Sequence, residues 1–277
     1  MKIQQAPFVI PLILIALMLP LTACSDDSTS SELDDPPSLP STMAPVLINT
    51  QYFQDQSIPD DEEHSAYKRV EAMVTLGSAT FNAEGTMGMV NSFLSLAPML
   101  NVTPEQIDGS WVWEFNVSGF LKEFEHLNQT SSNQTIVTII ATPSGNGFEW
   151  QVLYTGLLGT IGVEDFALIR GFTTADYSSG EWRFYDPEGD NSPMATYNWE
   201  IVNEAEKNVL LTINQFGEFS EINISYSVQM AEHFLNFEPA DGTYSRAYWN
   251  TDTNSGWFED FQTSRICYTN FVNSDCS

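Results

Sequence analysis

The segment GSWVWEFNVSG (109–119) decides the fold. Trp111, Trp113, Phe115 and Val117 occupy alternate positions, with Val112, Glu114, Asn116 and Ser118 between them. A strand turns successive side chains to opposite faces, so this order puts the large apolar groups on one side and the polar ones mostly on the other. GFEWQVLYTG (147–156) repeats the pattern, with Phe148, Trp150, Val152 and Tyr154 opposing Glu149, Gln151 and Thr155. In ATYNWEIVN (195–203), Tyr197, Trp199 and Ile201 oppose Asn198 and Glu200. The chain therefore predicts a sheet with one aromatic face and one wet, acidic face.

Working outward, similar runs follow one another from residue 109 to residue 271, including NQTIVTIIAT (133–142), EDFALIRGF (164–172), KNVLLTINQFG (207–217) and HFLNFEP (233–239). Turn chemistry such as SGNG, DPEGD, ADGT and TNSG separates most of them. No helical periodicity interrupts, which favours an antiparallel meander over βαβ units. Gly109-Ser110-Trp111, Gly180-Glu181-Trp182 and Gly256-Trp257 share a glycine–tryptophan flavour without a fixed period. They read as a hairpin device, glycine turning the chain and tryptophan entering the core, and not as a propeller or solenoid repeat.

Upstream, Ala66, Tyr67, Val70, Met73, Val74, Gly77 and Phe81 recur at helical spacing, preceded by acidic residues 60–63 suited to a helix N-terminus. Met87, Val90, Phe93, Leu94 and Ala97 read as a second helix, with Gly85 between the two and Pro98 at the end. A one-sided apolar sheet has to close or be covered, and the helices are the natural cover. The expected fold is mainly β (α+β): a strongly curved antiparallel meander or open barrel of about 10–12 strands with N-terminal helices packed on the concave face.

The N-terminus MKIQQAPFVIPLILIALMLPLTAC has a basic residue, a short apolar run over 8–19, and Leu21-Thr22-Ala23-Cys24. It resembles the bacterial lipobox. That resemblance implies cleavage before Cys24, a diacylglyceryl group on its thiol and acylation of the new amino terminus. Several acyl chains give durable anchoring where one gives only marginal binding. Cys-Ser-Asp-Asp is similar to the acidic export signal of surface lipoproteins in some Gram-negative lineages. The implied location is the cell envelope, lipid-anchored at the outer membrane, facing the periplasm or the surface. Residues 25–58 are rich in Ser, Thr, Asp and Pro and too poor in apolar groups to fold alone, although PVLINTQYF (45–53) is apolar enough to touch the body. The expected organisation is a signal peptide over 1–23, a disordered tether over 24–58 and a single helix-plus-β domain over 59–277. The layout resembles the half-barrel of periplasmic lipoprotein carriers and related lipid-binding lipoproteins. Its YxW- and GxW-rich strands also resemble those of uncharacterised Gram-negative envelope lipoproteins.

Nine Lys and Arg stand against 37 Asp and Glu, for a formal charge of −28. Nucleic acid is excluded as a partner by the lack of a basic face. The acidity suits solubility, with a cation-steering surface as the sharper reading. Cys267 and Cys276 plausibly form a disulfide in an oxidising compartment, with a two-cysteine metal site as the alternative.

On the aromatic face Trp111, Trp113, Trp150, Tyr154, Trp182, Trp199 and Trp249 are candidate ligand-lining residues, joined by Phe184 and Tyr197; plain core packing is the alternative. His64, His126 and His233 are isolated, and Glu125-His126 lacks a metal-binding spacing. The oxygen-rich turns 186–191 and 250–254 lack the bidentate glutamate of a calcium loop. There is no nucleophile elbow, phosphate loop or dinucleotide fingerprint. The expectation is a non-enzymatic lipoprotein without cofactor or metal, held to a bilayer through Cys24, that binds a lipid or other apolar ligand. The alternative is a structural or adhesion-type surface module with a filled core, meeting another envelope protein or a glycan.

Overall fold

The computed structural model describes residues 35–40, 46–54, 56–81, 97, 100–118, 134–158, 160–214 and 221–276. The leader, Cys24 and His126 lie outside the described residues, as does the second helical stretch except for Ala97, which is helical and fully buried.

Among the described residues fourteen strands form one sheet: β1 (Glu105–Ile107), β2 (Ser110–Asn116), β3 (Ile136–Ser144), β4 (Gly147–Leu158), β5 (Ile161–Thr174), β6 (Ser179–Tyr185), β7 (Pro193–Asn203), β8 (Glu206–Ile213), β9 (Ile222–Gln229), β10 (Glu232–Pro239), β11 (Ser245–Asn250), β12 (Ser255–Asp260), β13 (Ile266–Thr269) and β14 (Val272–Ser274). Each pairs antiparallel with its neighbours in sequence, and the curved sheet does not close. Relative to the twelve apolar runs of the sequence, the additional strands are β1 and β14. Both are three-residue edge strands, too short to show an alternation.

Period-two alternation is visible as burial. Trp113 and Phe115, then Val137, Ile139 and Ala141, then Phe148, Trp150, Val152 and Tyr154 all face inward. The same face continues through Trp182 and Phe184, Tyr197 and Trp199, Tyr226, Leu235 and Trp249. Full burial of one such ring contributes about 1.5–3 kcal/mol. Trp257 is the one tryptophan turned outward: it pairs in register with Tyr248 on the outer face, under the Arg265 guanidinium 3.9 Å from its ring.

The glycine–tryptophan pairs work in two ways. Gly109 turns the β1–β2 hairpin with Asp108, at φ +82° and +50°; a tight two-residue loop of this hand requires such angles. Gly180 and Gly256 instead sit inside β6 and β12. Gly180 lies opposite Trp199 in register, and a Cβ there would come 2.4 Å from the indole. At Gly256 a Cβ would come 2.7 Å from the Tyr268 ring. These glycines leave a bare backbone on which a neighbouring strand's ring lies flat, which corrects the uniform hairpin reading.

Helix α1 (Gln51–Gln54) is short, and α2 (Ser65–Phe81) is the main helix. Asp61 initiates the turn before α2, its Oδ1 accepting from the His64 N–H. The helix buries Ala66, Tyr67, Val70, Met73, Val74 and Gly77 against β10–β14. Gly77 is needed for this approach, because a Cβ would meet Ile48 and Leu235 at 2.9 Å.

The segment set aside as tether is not uniform. Val46, Ile48 and Phe53 are at most 3% exposed, so the packed body takes in residues upstream of position 59. The tyrosines of the inner face hold this strap. Tyr177 donates to the Ser38 carbonyl, and Tyr197 donates to the Val46 carbonyl (2.7 Å) while accepting from the Val46 N–H (3.2 Å). Tyr226 faces the backbone of Asn49, and Phe53 packs on Trp249 and Tyr67, each at 5.6 Å. Ser38 thus meets the β5–β6 turn, while Val46 meets β7 and Phe53 meets β11.

Candidate functional site

The aromatic face is packed ring against ring. Trp113 stacks on Trp150 (6.3 Å), Trp150 meets Trp182 edge-on (6.4 Å), and Trp182 stacks on Trp199 (5.8 Å). Trp249 lies between Phe53 and His233, which stacks on it at 4.8 Å. Trp113, Trp150, Tyr154, Trp182, Trp199 and Trp249 are at most 4% exposed, and Trp111 is partly buried against them. The structure therefore brings all seven sequence candidates onto one face, but as close-packed neighbours. The polar atoms of six of them fall into two groups. Trp150 donates to Thr173 Oγ1 (2.9 Å), Trp199 to the Tyr177 carbonyl (3.0 Å) and Tyr154 to the Leu157 carbonyl (2.9 Å). The indole N–H groups of Trp111, Trp182 and Trp249 are buried without a partner among the described residues. An unmade hydrogen bond of this kind costs about 1–3 kcal/mol.

The open apolar volume lies elsewhere. A cavity of about 500 Å³ opens between α2 and the ends of β9–β12. Its helix wall is Ala72, Met73 and Leu76; Ile222, Phe237 and Phe258 supply the sheet wall, and Phe261 closes one side. Leu76 and Phe261 are more than half exposed, so its lip is apolar and wet. The positions follow from helical geometry: Arg69, Ala72, Met73 and Leu76 are spaced i, i+3, i+4 and i+7, on the flank of the core stripe. Thr243, Tyr244 and Ser245 border the cavity from the sheet.

Among the described residues, Arg69 is the only charged one lining this cavity. Its guanidinium lies 5.7 Å from the Phe258 ring and donates to Thr263 Oγ1 (3.3 Å). Lys68, beside it, is paired with Glu71 at 2.8 Å, and Arg183 and Arg265 are paired with Glu181 and Glu259. Arg69 has no carboxylate within ion-pair distance among the described residues. Asp260 lies within its electrostatic reach: burial pushes its carboxyl up, and hydrogen bonds from the Gln262 and Thr263 N–H groups, with the Arg69 charge, hold it below the usual range.

The remaining described candidates bond within the fold. His64 Nδ1 meets Asp61 Oδ1 at 2.6 Å, and His233 Nδ1 meets the Tyr226 hydroxyl at 2.9 Å. Burial pushes His233 down to about 4. No group of three or more His, Cys, Asp or Glu is placed to hold a metal ion among the described residues. In the oxygen-rich turns the oxygens serve the backbone: Asp186 accepts from the Glu188 N–H, and Asn250 from those of Asp252 and Thr253. Cys267 and Cys276 are bonded to each other, their Cα atoms 5.2 Å apart, and fasten the chain end to β13.

Sequence reasoning did not single out Arg69 or the cavity. The one signal available was the flank spacing on α2, ending in a leucine that core packing did not claim. No known protein family, curated protein or solved structure matches this chain.

Proposed function

We propose that this protein is a membrane-anchored envelope lipoprotein that holds an apolar or amphipathic molecule between α2 and the rim of its sheet, with no chemical step of its own. The lipobox-like Leu21-Thr22-Ala23-Cys24 supports the anchor. The observation that carries the binding role is the apolar cavity of about 500 Å³. Ligand sites typically measure about 300–1,000 Å³ and are lined by apolar groups with a few polar ones. Val46 and Phe53, downstream of the lipobox-like segment, pack on the inner face of the sheet and, through Tyr67, on α2.

Ala72 is exposed at the cavity wall, so Ala72→Trp fills the space without removing a core contact. Calorimetric titration with dodecanol below its solubility limit should give saturable binding to the parent chain and none to the variant, at equal melting temperatures. Equal binding by both chains rules out the cavity. For the anchor, Cys24→Ser is expected to move the protein out of the membrane fraction, and an unchanged membrane fraction counts against it.

A second reading is a structural or adhesion-type module, favoured by the ring-on-ring packing of the aromatic face. It predicts no uptake of dodecanol by either chain.

A further inference from the structure

The cavity has one polar feature that selects among amphiphiles. In a chain with 37 acidic residues, a guanidinium at the lip of the apolar pocket has no carboxylate partner within 4.0 Å among the described residues. Arg69 is exposed, donates one hydrogen bond to a hydroxyl, and rests its flat group over Phe258, a buried residue of the cavity wall. Arginine carries five donors in a planar fork that matches a carboxylate edge-on. With one N–H taken by Thr263, others remain for a ligand. Asp260, which lies within electrostatic reach of Arg69, is engaged by two backbone N–H groups.

We propose that the ligand is a single-chain amphiphile with a carboxylate head, of the long-chain fatty acid class. The tail lies along Met73, Leu76, Phe237 and Phe258, and the head meets Arg69, with Thr243 and Ser245 on the opposite rim. This rests on the cavity reading above and adds the head group to it. The charge match is local. The net charge of −28 disfavours anions at long range, so the ligand enters tail first and the head is held by short-range, charge-assisted hydrogen bonds.

The test holds the tail constant and varies the head. Dodecanoate, dodecyl phosphate and dodecyltrimethylammonium below their micelle concentrations, and dodecanol below its solubility limit, are titrated by calorimetry into the full folded chain and into Arg69→Gln. Dodecanoate is expected to bind the parent about tenfold or more tighter than dodecanol, the yield of a hydrogen bond to a charged group. In Arg69→Gln that preference, read as the ratio of dodecanoate to dodecanol affinity within the same chain, falls to about onefold. The cation is expected to bind more weakly than dodecanol. Equal affinity for dodecanoate and dodecanol overturns the head-group assignment and leaves the cavity standing. Tighter binding of dodecyl phosphate than of dodecanoate overturns the carboxylate in favour of a phospholipid head. Failure of all four probes overturns the cavity reading, and this inference with it.

Discussion

Gly180→Ala isolates the way the aromatic face is built. A Cβ at Gly180 would stand 2.4 Å from Trp199 Cη2 and 2.6 Å from Cζ2. Ordinary carbon contacts lie at about 3.5–4.0 Å, so the overlap is about 1 Å. The Phe172 carbonyl, 2.5 Å from the same point, belongs to the paired strand β5 and cannot swing aside. Trp199 is held in turn by its bond to the Tyr177 carbonyl and its stack on Trp182. Overpacking of this kind costs about 1–3 kcal/mol. The sign is the informative part, because replacing a strand glycine by alanine ordinarily gains about 0.5–1 kcal/mol. In a domain of this size each kcal/mol shifts the melting point by about 2–4 °C, so a fall of about 2–12 °C is expected. Thermal unfolding followed by near-ultraviolet circular dichroism reads both the melting point and the Trp182–Trp199 pair. Gly162→Ala is the control, since its Cβ would find only Leu157 at 3.9 Å. A variant melting at or above the parent temperature, with its aromatic signal intact, refutes the flat-bed role of these glycines.

Met230 turns the β9–β10 hairpin at φ +56° with its side chain exposed, so Met230→Gly should relieve about 1 kcal/mol of backbone strain and raise the melting temperature. Tyr197→Phe removes the hydroxyl that serves both backbone groups of Val46; exchange of the Val46 amide should accelerate, with a stability loss of about 1–3 kcal/mol. His233 is held down to about 4, below its unfolded value near 6.5. The unfolded chain therefore takes up the proton first, and stability should fall as pH drops from about 6.5 to about 4. A melting-temperature series across that window should be flatter in His233→Gln than in the parent.

The sheet was legible because alternation is a local property. Trp111 to Val117 declares its faces whatever strand lies beside it, and so does Phe148 to Tyr154. The core stripe of α2 was legible for the same reason, since Ala66, Tyr67, Val70, Met73 and Val74 share a face within one element. Gly180 and Gly256 were not legible, because their role depends on which ring lies opposite, and that is set by register between strands. The strap was only half legible. Val46, Ile48 and Phe53 are too few to show a period, and their burial depends on Tyr197, Tyr226 and Trp249, about 150 to 200 positions away. The cavity was least legible: it joins residues of α2 to others near positions 222, 237, 258 and 261, and an unfilled gap leaves no trace in composition.

The central claim is that ligand is held beside α2 and not among the packed tryptophans. Photo-crosslinking with a diazirine-bearing long-chain fatty acid, mapped by peptide mass spectrometry, tests it most directly. The account predicts adducts on residues 69–76 and on the strand ends around Phe237, Phe258 and Phe261, lost in Ala72→Trp. Adducts on Trp113, Trp150, Trp182 or Trp199, or labelling unaltered by Ala72→Trp, would contradict it.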